Sequence, residues 1–219
     1  METILAADRA LFHLLNGVWT CGFLDVAMPL VTDAKLWAPF LILPWLWLIF
    51  GAQGKRRALA LLFALGIGGS DYVTSGIIKK SVGRKRPCCA EPGARLLVPC
   101  KSSRSFPSSH AANTAAAAAV IWLEAGAPAG ATFAFVSFVV GYSRIYIGVH
   151  YPADVAAGWL AGILVASIVV LARRRFFGRP APPAECLSVE APAAGHESLE
   201  GPPGPEASRV LQNEHPRSP

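Results

Sequence analysis

Apolar runs of bilayer-crossing length recur along most of this 219-residue chain, and no other feature constrains its fold as strongly. A crossing helix needs about 20 apolar residues, with about 17 as the lower limit. Leu36–Ala52, Ala58–Ile78 and Ala153–Ala172 reach that length. Ala127–Tyr142 is shorter but Phe-rich and uncharged, and the Ala-rich Pro107–Leu123, polar at its start, is a fifth and weaker candidate. These segments are apolar nearly all round, where a globular helix would have one polar face. Charged residues are only 16% of the chain, against roughly 25% in soluble domains. The expected fold is therefore an all-α integral membrane helical bundle with about five transmembrane helices.

The ends differ from the middle. Ile4–Leu15 reads as a short amphipathic helix lying in the membrane interface. Residues 16–34 are apolar but interrupted by Asn16, Asp25 and Asp33, so an interfacial or partly inserted segment is expected. A sixth span there is the alternative, and it would place the N-terminus inside. Glu2, Asp8 and Arg9 precede any long apolar run, so no cleaved signal peptide is expected. From Phe176 the character changes: half of the 18 prolines fall in the last 44 residues. Such a composition buries too little apolar surface to offset chain entropy. The expected organisation is a membrane domain over residues 1–175 and a disordered cytoplasmic tail over 176–219.

The net charge of +6 resides in short loops between apolar segments, which argues against nucleic acid as a partner. Lys55-Arg56-Arg57 and Arg173-Arg174-Arg175 belong on the cytoplasmic side by the positive-inside rule. Threading five spans then puts 79–106, 142–152 and everything before Leu36 outside. The first of these carries Arg84, Lys85, Arg86, Arg95, Lys101 and Arg104, against the rule. Binding a phosphate group would explain that violation.

Three polar clusters share the expected outer side: Lys79 to Pro87, Ser105 to His110, and Ser143-Arg144 followed by His150 and Asp154. Lys79, Arg86 and Arg144 can surround a phosphate, Arg with a planar donor fork and Lys with a compact charge. Ser108, Ser109 and His110 open a helix, whose free N–H groups favour an anion. Asp154 lies four residues after His150, a spacing that brings the two side chains together and lets the carboxylate fix the ring tautomer. Taken singly, each has a blander reading: Lys79 as a snorkelling helix end, the Arg84–Arg86 run as a solvated loop, Ser108 as a helix cap, His110 and His150 as structural histidines, and Arg144 with Asp154 as an ion pair. Their ordered co-occurrence favours an active site.

The pattern Lys-x6-Arg-Pro, then Pro-Ser-x-His, then Ser-Arg-x5-His-x3-Asp resembles the type 2 phosphatidic acid phosphatase superfamily over about residues 10 to 172. That family includes lipid phosphatases of membranes and soluble vanadium haloperoxidases. The resemblance implies a lipid phosphate phosphatase that uses no metal and no cofactor. It implies His150 as nucleophile, His110 as general acid, Asp154 as the group orienting His150, and Lys79, Arg86, Ser108, Ser109 and Arg144 as phosphate ligands. Ser109 stands where the family usually has Gly. Similarity to short bacterial members makes undecaprenyl pyrophosphate the first choice of substrate, with lipid A, phosphatidylglycerol phosphate and phosphatidic acid as alternatives. It also implies a bacterial inner membrane, with the site facing outward and membrane lipid around it. A haloperoxidase is disfavoured by the apolar spans. A lipid-phosphate binder or transporter would not need His110, His150 and Asp154.

Two further features invite structural tests. Asp71 lies inside the second apolar segment, where a carboxylate usually faces the bundle interior; it reads as a structural residue bonded beside Ser70 or Tyr72, with support of the site as the rival reading. Cys88, Cys89 and Cys100 share the outer loop, where disulfides persist. A Cys89–Cys100 bridge is expected, with Cys88 as the second choice of partner; Cys21 and Cys186 are expected to be unpaired.

Overall fold

The computed structural model describes residues 2–178. Of the tail expected from Phe176, only 176–178 are described; the rest of it, with Cys186, lies outside the described residues. Among the described residues every regular element is helical. Helix α1 spans Glu2–His13 and runs on through a π-helical turn, Leu14–Val18; α2 spans Gly22–Thr32 and α3 Ala34–Gly51. Helix α4 covers Gly54–Asp71 and continues through a π-helical stretch, Tyr72–Ile78, into Lys79–Val82. A single turn, α5, covers Pro87–Ala90, and α6, α7 and α8 cover Ser109–Ala125, Ala127–Tyr146 and Pro152–Phe177.

All five expected apolar segments are helices. Among the described residues three helices, Ala34–Gly51, Gly54–Ala90 (the whole run from α4 to α5) and Pro152–Phe177, are long and apolar enough to cross a membrane, or four spans if the bent pair Glu2–Val18 and Gly22–Thr32 counts as one. That pair is bent by 116°, which fits a broken or re-entrant segment better than one straight helix. Helices α6 and α7 fall outside this set. Helix α6 has 17 residues and carries polar Ser109, His110, Asn113 and Thr114 in its first two turns, which makes it shorter and less apolar than those three. It packs against α4, α7 and α8, and Ala111, Ala112, Ala115, Ala116, Ala117 and Ala118 are all buried in protein. A helix enclosed by other helices needs small residues for close approach more than it needs large apolar ones. Elsewhere large apolar side chains point outward, among them Phe40, Leu43, Phe50, Leu160 and Ile168. So much exposed apolar surface suits lipid and not water.

Glycines on α8 set the approach to α6. A Cβ added at Gly158 would lie 2.5 Å from the Ser108 carbonyl oxygen, and one at Gly162 would run into the carbonyl of Ala112. Backbone therefore meets backbone, and the start of α8 lies beside the start of α6. Trp45 of α3 donates its indole N–H to the Ala60 carbonyl of α4 at 3.0 Å. At the far end, Glu124 of α6 binds Arg173 and Arg174 of α8 at 3.0 and 3.1 Å. The Arg173–Arg175 run thus sits at the opposite end of the bundle from the three polar clusters.

The N-terminal segment is folded onto the cluster end. Asn16, buried in the π-helical turn, donates to the carbonyls of Arg95 (2.8 Å) and Tyr146 (2.7 Å) and accepts from Arg95 N–H (2.8 Å). Glu91, directly after the turn Pro87–Ala90, accepts from the Tyr151 hydroxyl at 2.7 Å and pairs with Arg9 at 3.3 Å.

The disulfide differs from expectation. Cys100 is bridged to Cys88, with Cα atoms 6.1 Å apart, and Cys89 is free and exposed, as is Cys21. Successive residues in a helical turn point about 100° apart. The turn Pro87–Ala90 is oriented by buried Pro87 and by Arg86 anchored in the site, and that rotation directs Cys88 into the bridge. The Sγ of Cys89 still lies 3.3 Å from that of Cys100, so adjacency in sequence could not separate the two candidates.

Candidate active site

The three polar clusters meet at one end of the bundle, joined by hydrogen bonds between elements far apart in sequence. Lys79, at the end of the π-helical stretch, donates to the Ser109 hydroxyl at 2.9 Å. Ser108 occupies the N-cap position of α6 without a side-chain capping bond, and its backbone N–H donates to the Asp154 carbonyl at 2.9 Å. Arg86, buried in the loop before α5, donates to the carbonyl and hydroxyl of Ser103, both at 2.9 Å, and to the Val149 carbonyl at 3.0 Å. Its Nη1 also lies 3.2 Å from His150 Nε2.

That last contact fixes the state of the ring. Arginine has no acceptor, so Nε2 must present its lone pair to Arg86, and the ring proton belongs on Nδ1, an assignment made from hydrogen-bonding partners. Nδ1 faces Asp154 Oδ2 at 3.5 Å, a long contact. Asp154 is fully buried. Its Oδ2 accepts from Tyr151 N–H at 3.0 Å, and its Oδ1 accepts from Arg84 at 2.7 Å. Burial pushes the His150 ring down to about 4; the Arg144 and Arg86 cations act the same way, and Asp154 opposes them. His150 is thus neutral at ordinary pH, with a lone pair on the nitrogen beside Arg86.

Arg144 is 7% exposed, donates to the Thr32 hydroxyl at 2.6 Å, and leaves its Nε without a partner. Its carbonyl accepts from Val149 and His150 N–H at 3.2 Å each, which shapes the loop that carries His150. The buried hydroxyl of Ser108 is also unpartnered. Unsatisfied buried donors are costly, and an anion lying among Ser108, Arg144, Arg86 and Lys79 would satisfy them. His110, on the first turn of α6, is within electrostatic reach of Arg144, His150, Lys101 and Lys79. All eight expected site residues therefore lie in this one region.

A family model described as the PAP2 superfamily matches residues 57–177, which contain all three clusters. The chain belongs to this superfamily. Among its relatives, the decaprenylphosphoryl-5-phosphoribose phosphatase of Mycobacterium tuberculosis is 37% identical over 130 residues, which is 56% of this chain and 69% of that protein. The undecaprenyl-diphosphatase BcrC of Bacillus subtilis is 29% identical over 142 residues, 65% of this chain and 71% of the relative. The crystal structure of LpxE from Aquifex aeolicus superposes with a TM-score of 0.63 at 29% identity, covering 74% of this chain and 94% of that one. This PAP2 protein is an integral membrane lipid phosphate phosphatase.

Sequence reasoning passed over several residues that shape the PAP2 site. Arg84, which reads by itself as a solvated loop residue, bridges Asp154 at 2.7 Å and Asp8 at 2.6 Å and stacks 3.8 Å from the Tyr151 ring. Asp8, in α1, also accepts from the Ala153 backbone N–H at 2.8 Å. Thr32 touches Arg144 from the end of α2. The only signal for Asp8 was a charged residue on an otherwise amphipathic helix, and nothing in the sequence paired it with position 84. Asp71 is hydrogen-bonded, as its structural reading expects, but it is exposed at the bundle surface and its partners are Ser75 and Asn113, not Ser70 or Tyr72.

Proposed function

We propose that this protein removes a phosphate from a polyprenyl-linked phosphate, with undecaprenyl pyrophosphate as first choice, at the outer face of a bacterial inner membrane. The observation that carries this reading is the His150 ring. Its Nε2 lone pair is turned toward Arg86 in a pocket of unsatisfied donors, and Nδ1 is backed by Asp154. His150 Nε2 attacks phosphorus, the P–O bond to the leaving group breaks, and the phosphoryl group passes to the ring. Lys79, Arg86, Arg144 and the Ser108 hydroxyl hold its oxygens, where charge grows in the transition state. Ser109 lies in the same cradle through its bond to Lys79. His110, whose ring is held down to about 3 by burial and by the neighbouring cations, takes up a proton when the substrate's anionic charge offsets those cations, protonates the leaving oxygen and then takes a proton from the water that cleaves the phosphohistidine. Asp154 holds the Nδ1 proton and stabilises the cationic ring.

Metal independence is part of the proposal. The cradle is made of cations that repel a metal ion, and both oxygens of Asp154 are already engaged by Arg84 and Tyr151. A polyprenyl chain is supported by two relatives, a decaprenylphosphoryl-5-phosphoribose phosphatase and an undecaprenyl-diphosphatase. An apolar groove of about 410 Å³ between α6, α7 and α8 supports a hydrocarbon substituent. It begins at Ala115, roughly 7 Å along α6 from His110 at about 1.5 Å per residue. The outward orientation is supported by Lys55–Arg57 and Arg173–Arg175, which occupy the helix ends remote from the site.

The deciding experiment is phosphate release in detergent with EDTA present. Undecaprenyl pyrophosphate, a polyprenyl-phosphate sugar phosphate, phosphatidylglycerol phosphate, phosphatidic acid and lipid A would be compared for wild type and His150→Ala. Release that survives EDTA, disappears in His150→Ala and is fastest on a polyprenyl substrate is expected. Release that requires a divalent metal, or persists in His150→Ala, would overturn the mechanism. Preference for a diacyl substrate would overturn the substrate assignment.

A further inference from the structure

Below the phosphate cradle, α4 carries a line of polar side chains that leads up to Lys79, and of these the mechanism above uses Lys79 alone. Asp71, Ser75 and Lys79 recur at four-residue intervals and so share one face of α4. The stretch between Asp71 and Lys79 is π-helical, a local geometry frequent at functional sites. Ser75 Oγ donates to Asp71 Oδ1 at 3.2 Å and lies 2.7 Å from Ser109 Oγ, which accepts from Lys79 Nζ at 2.9 Å. Asn113, one turn below Ser109 on α6, donates to the same Asp71 oxygen at 3.2 Å.

The two ends of this chain fix its direction. A carboxylate only accepts and an ammonium only donates. Ser75 therefore spends its proton on Asp71, and Ser109 must give its own proton to Ser75. The order Lys79 to Ser109 to Ser75 to Asp71 has a single sense of donation. Ser109 is then held with its lone pairs toward Lys79. Lys79 commits one of its three N–H donors there and keeps two for a phosphate. An ionisable side chain in a membrane helix is costly and generally has a functional partner; here the partner is the cradle itself, reached through two hydroxyls.

We infer that Asp71, Ser75 and Asn113 form a positioning relay that orients Ser109 and, through it, the Lys79 ammonium against the substrate phosphate. None of the three touches the reacting atoms. The inference rests on the phosphatase reading given above and goes beyond it, because it assigns work to residues outside the family's motifs.

The test is a mutant cycle on phosphate release with undecaprenyl pyrophosphate as probe. Asp71→Ala and Ser75→Ala are each expected to lower kcat/KM about tenfold, the size of one charge-assisted hydrogen bond. Asp71→Asn should stay within about threefold of wild type, because its amide oxygen still accepts from Ser75. In a Ser109→Gly background, Asp71→Ala should cause no further loss, since its route to Lys79 is already cut. A residue that merely ties α4 to α6 would lose activity equally in both backgrounds. Ser75→Ala removes one hydroxyl from a half-buried position and keeps the test open if Asp71→Ala does not fold. Wild-type rates in Ser75→Ala, or an undiminished loss from Asp71→Ala in the Ser109→Gly protein, would overturn the relay while leaving the phosphatase reading intact. An inactive wild type on every lipid phosphate would instead overturn the reading on which the relay stands.

Discussion

Replacing Arg84 by Met tests the part of the site that the motifs do not reveal. The Arg84 guanidinium gives Nη1 to Asp154 at 2.7 Å and Nη2 to Asp8 at 2.6 Å, and the two carboxylates are almost wholly buried, at 0% and 5% side-chain exposure. Methionine keeps much of the packing against Tyr151 and removes the charge. Two carboxylates bound to one guanidinium lie about 5 Å apart. At an effective dielectric near 20 their unscreened repulsion is about 3 kcal/mol. Asp154 is the softer of the two positions, because its Oδ1 loses its Arg84 donor while Asp8 keeps the Ala153 N–H. Its shift takes it from beneath His150 Nδ1. At about 1.4 kcal/mol per tenfold, 3 kcal/mol corresponds to roughly a hundredfold loss of kcat. That is less than the ~10⁴ lost when the carboxylate of a serine-protease triad is replaced. The assay is steady-state phosphate release at pH 7, with thermal stability measured beside it. Asp8→Asn in the Arg84→Met background removes the repulsion and should restore activity about tenfold or more. The reasoning is refuted if a stably folded Arg84→Met protein keeps kcat within about twofold of wild type, or if Asp8→Asn deepens the loss.

Two other outcomes follow from the geometry. Folding lowers the His150 pKa from 6.5 to about 4, so between those values the unfolded chain holds a proton that the folded protein does not. The stability this group contributes is therefore fully present above pH 6.5 and is lost as pH falls toward 4. Thermal melting of wild type should fall more steeply across that window than melting of His150→Gln, and the kcat/KM profile should stay level until about pH 5 before dropping; a drop centred at 6.5 would contradict the burial of His150. In the outer loop, fragment-level mass spectrometry of unreduced protein should place the bridge at Cys88–Cys100 with Cys89 open to alkylation, and Cys89→Ser should keep the bridge; a Cys89–Cys100 link would return the loop to the pairing expected from sequence.

Much of this protein is legible in its sequence because the membrane simplifies the problem. A bilayer accepts only segments that satisfy their own backbone, so long apolar runs such as Leu36–Ala52 and Ala153–Ala172 have to be helices. Their observed counterparts, Ala34–Gly51 and Pro152–Phe177, differ mainly at the ends, where α8 carries its Arg run outward as part of the same helix. The grouping of the polar clusters was equally legible, since Lys79, Arg86, Ser108, Arg144, His150 and Asp154 are chemically unusual beside apolar segments and fall in three compact runs. Span-forming capacity was legible in part, since Ala127–Tyr142 and Pro107–Leu123 already read as the short and the weaker candidates, but what surrounds the Ala-rich α6 was not. Whether a helix of small residues meets lipid or protein depends on its neighbours, here the glycine face of α8.

Local pattern determined which residue types are available; only the tertiary structure decided which of them share a charge. Arg84 lies next to Lys85 and Arg86 in sequence, and nothing along the chain distinguishes a solvated member of that run from one locked between two buried acids. Its partners come from positions 76 residues before it and 70 after it. Cys88 and Cys89 differ by a single step around a helical turn, and that step selects the disulfide. Asp71 pairs with Asn113 across 42 residues. Electrostatic and hydrogen-bonding partners are set by distance in space, which falls off within a few ångströms. Hydrophobic periodicity is set by distance along the chain, and for that reason the bundle could be read from the sequence while the wiring of its site could not.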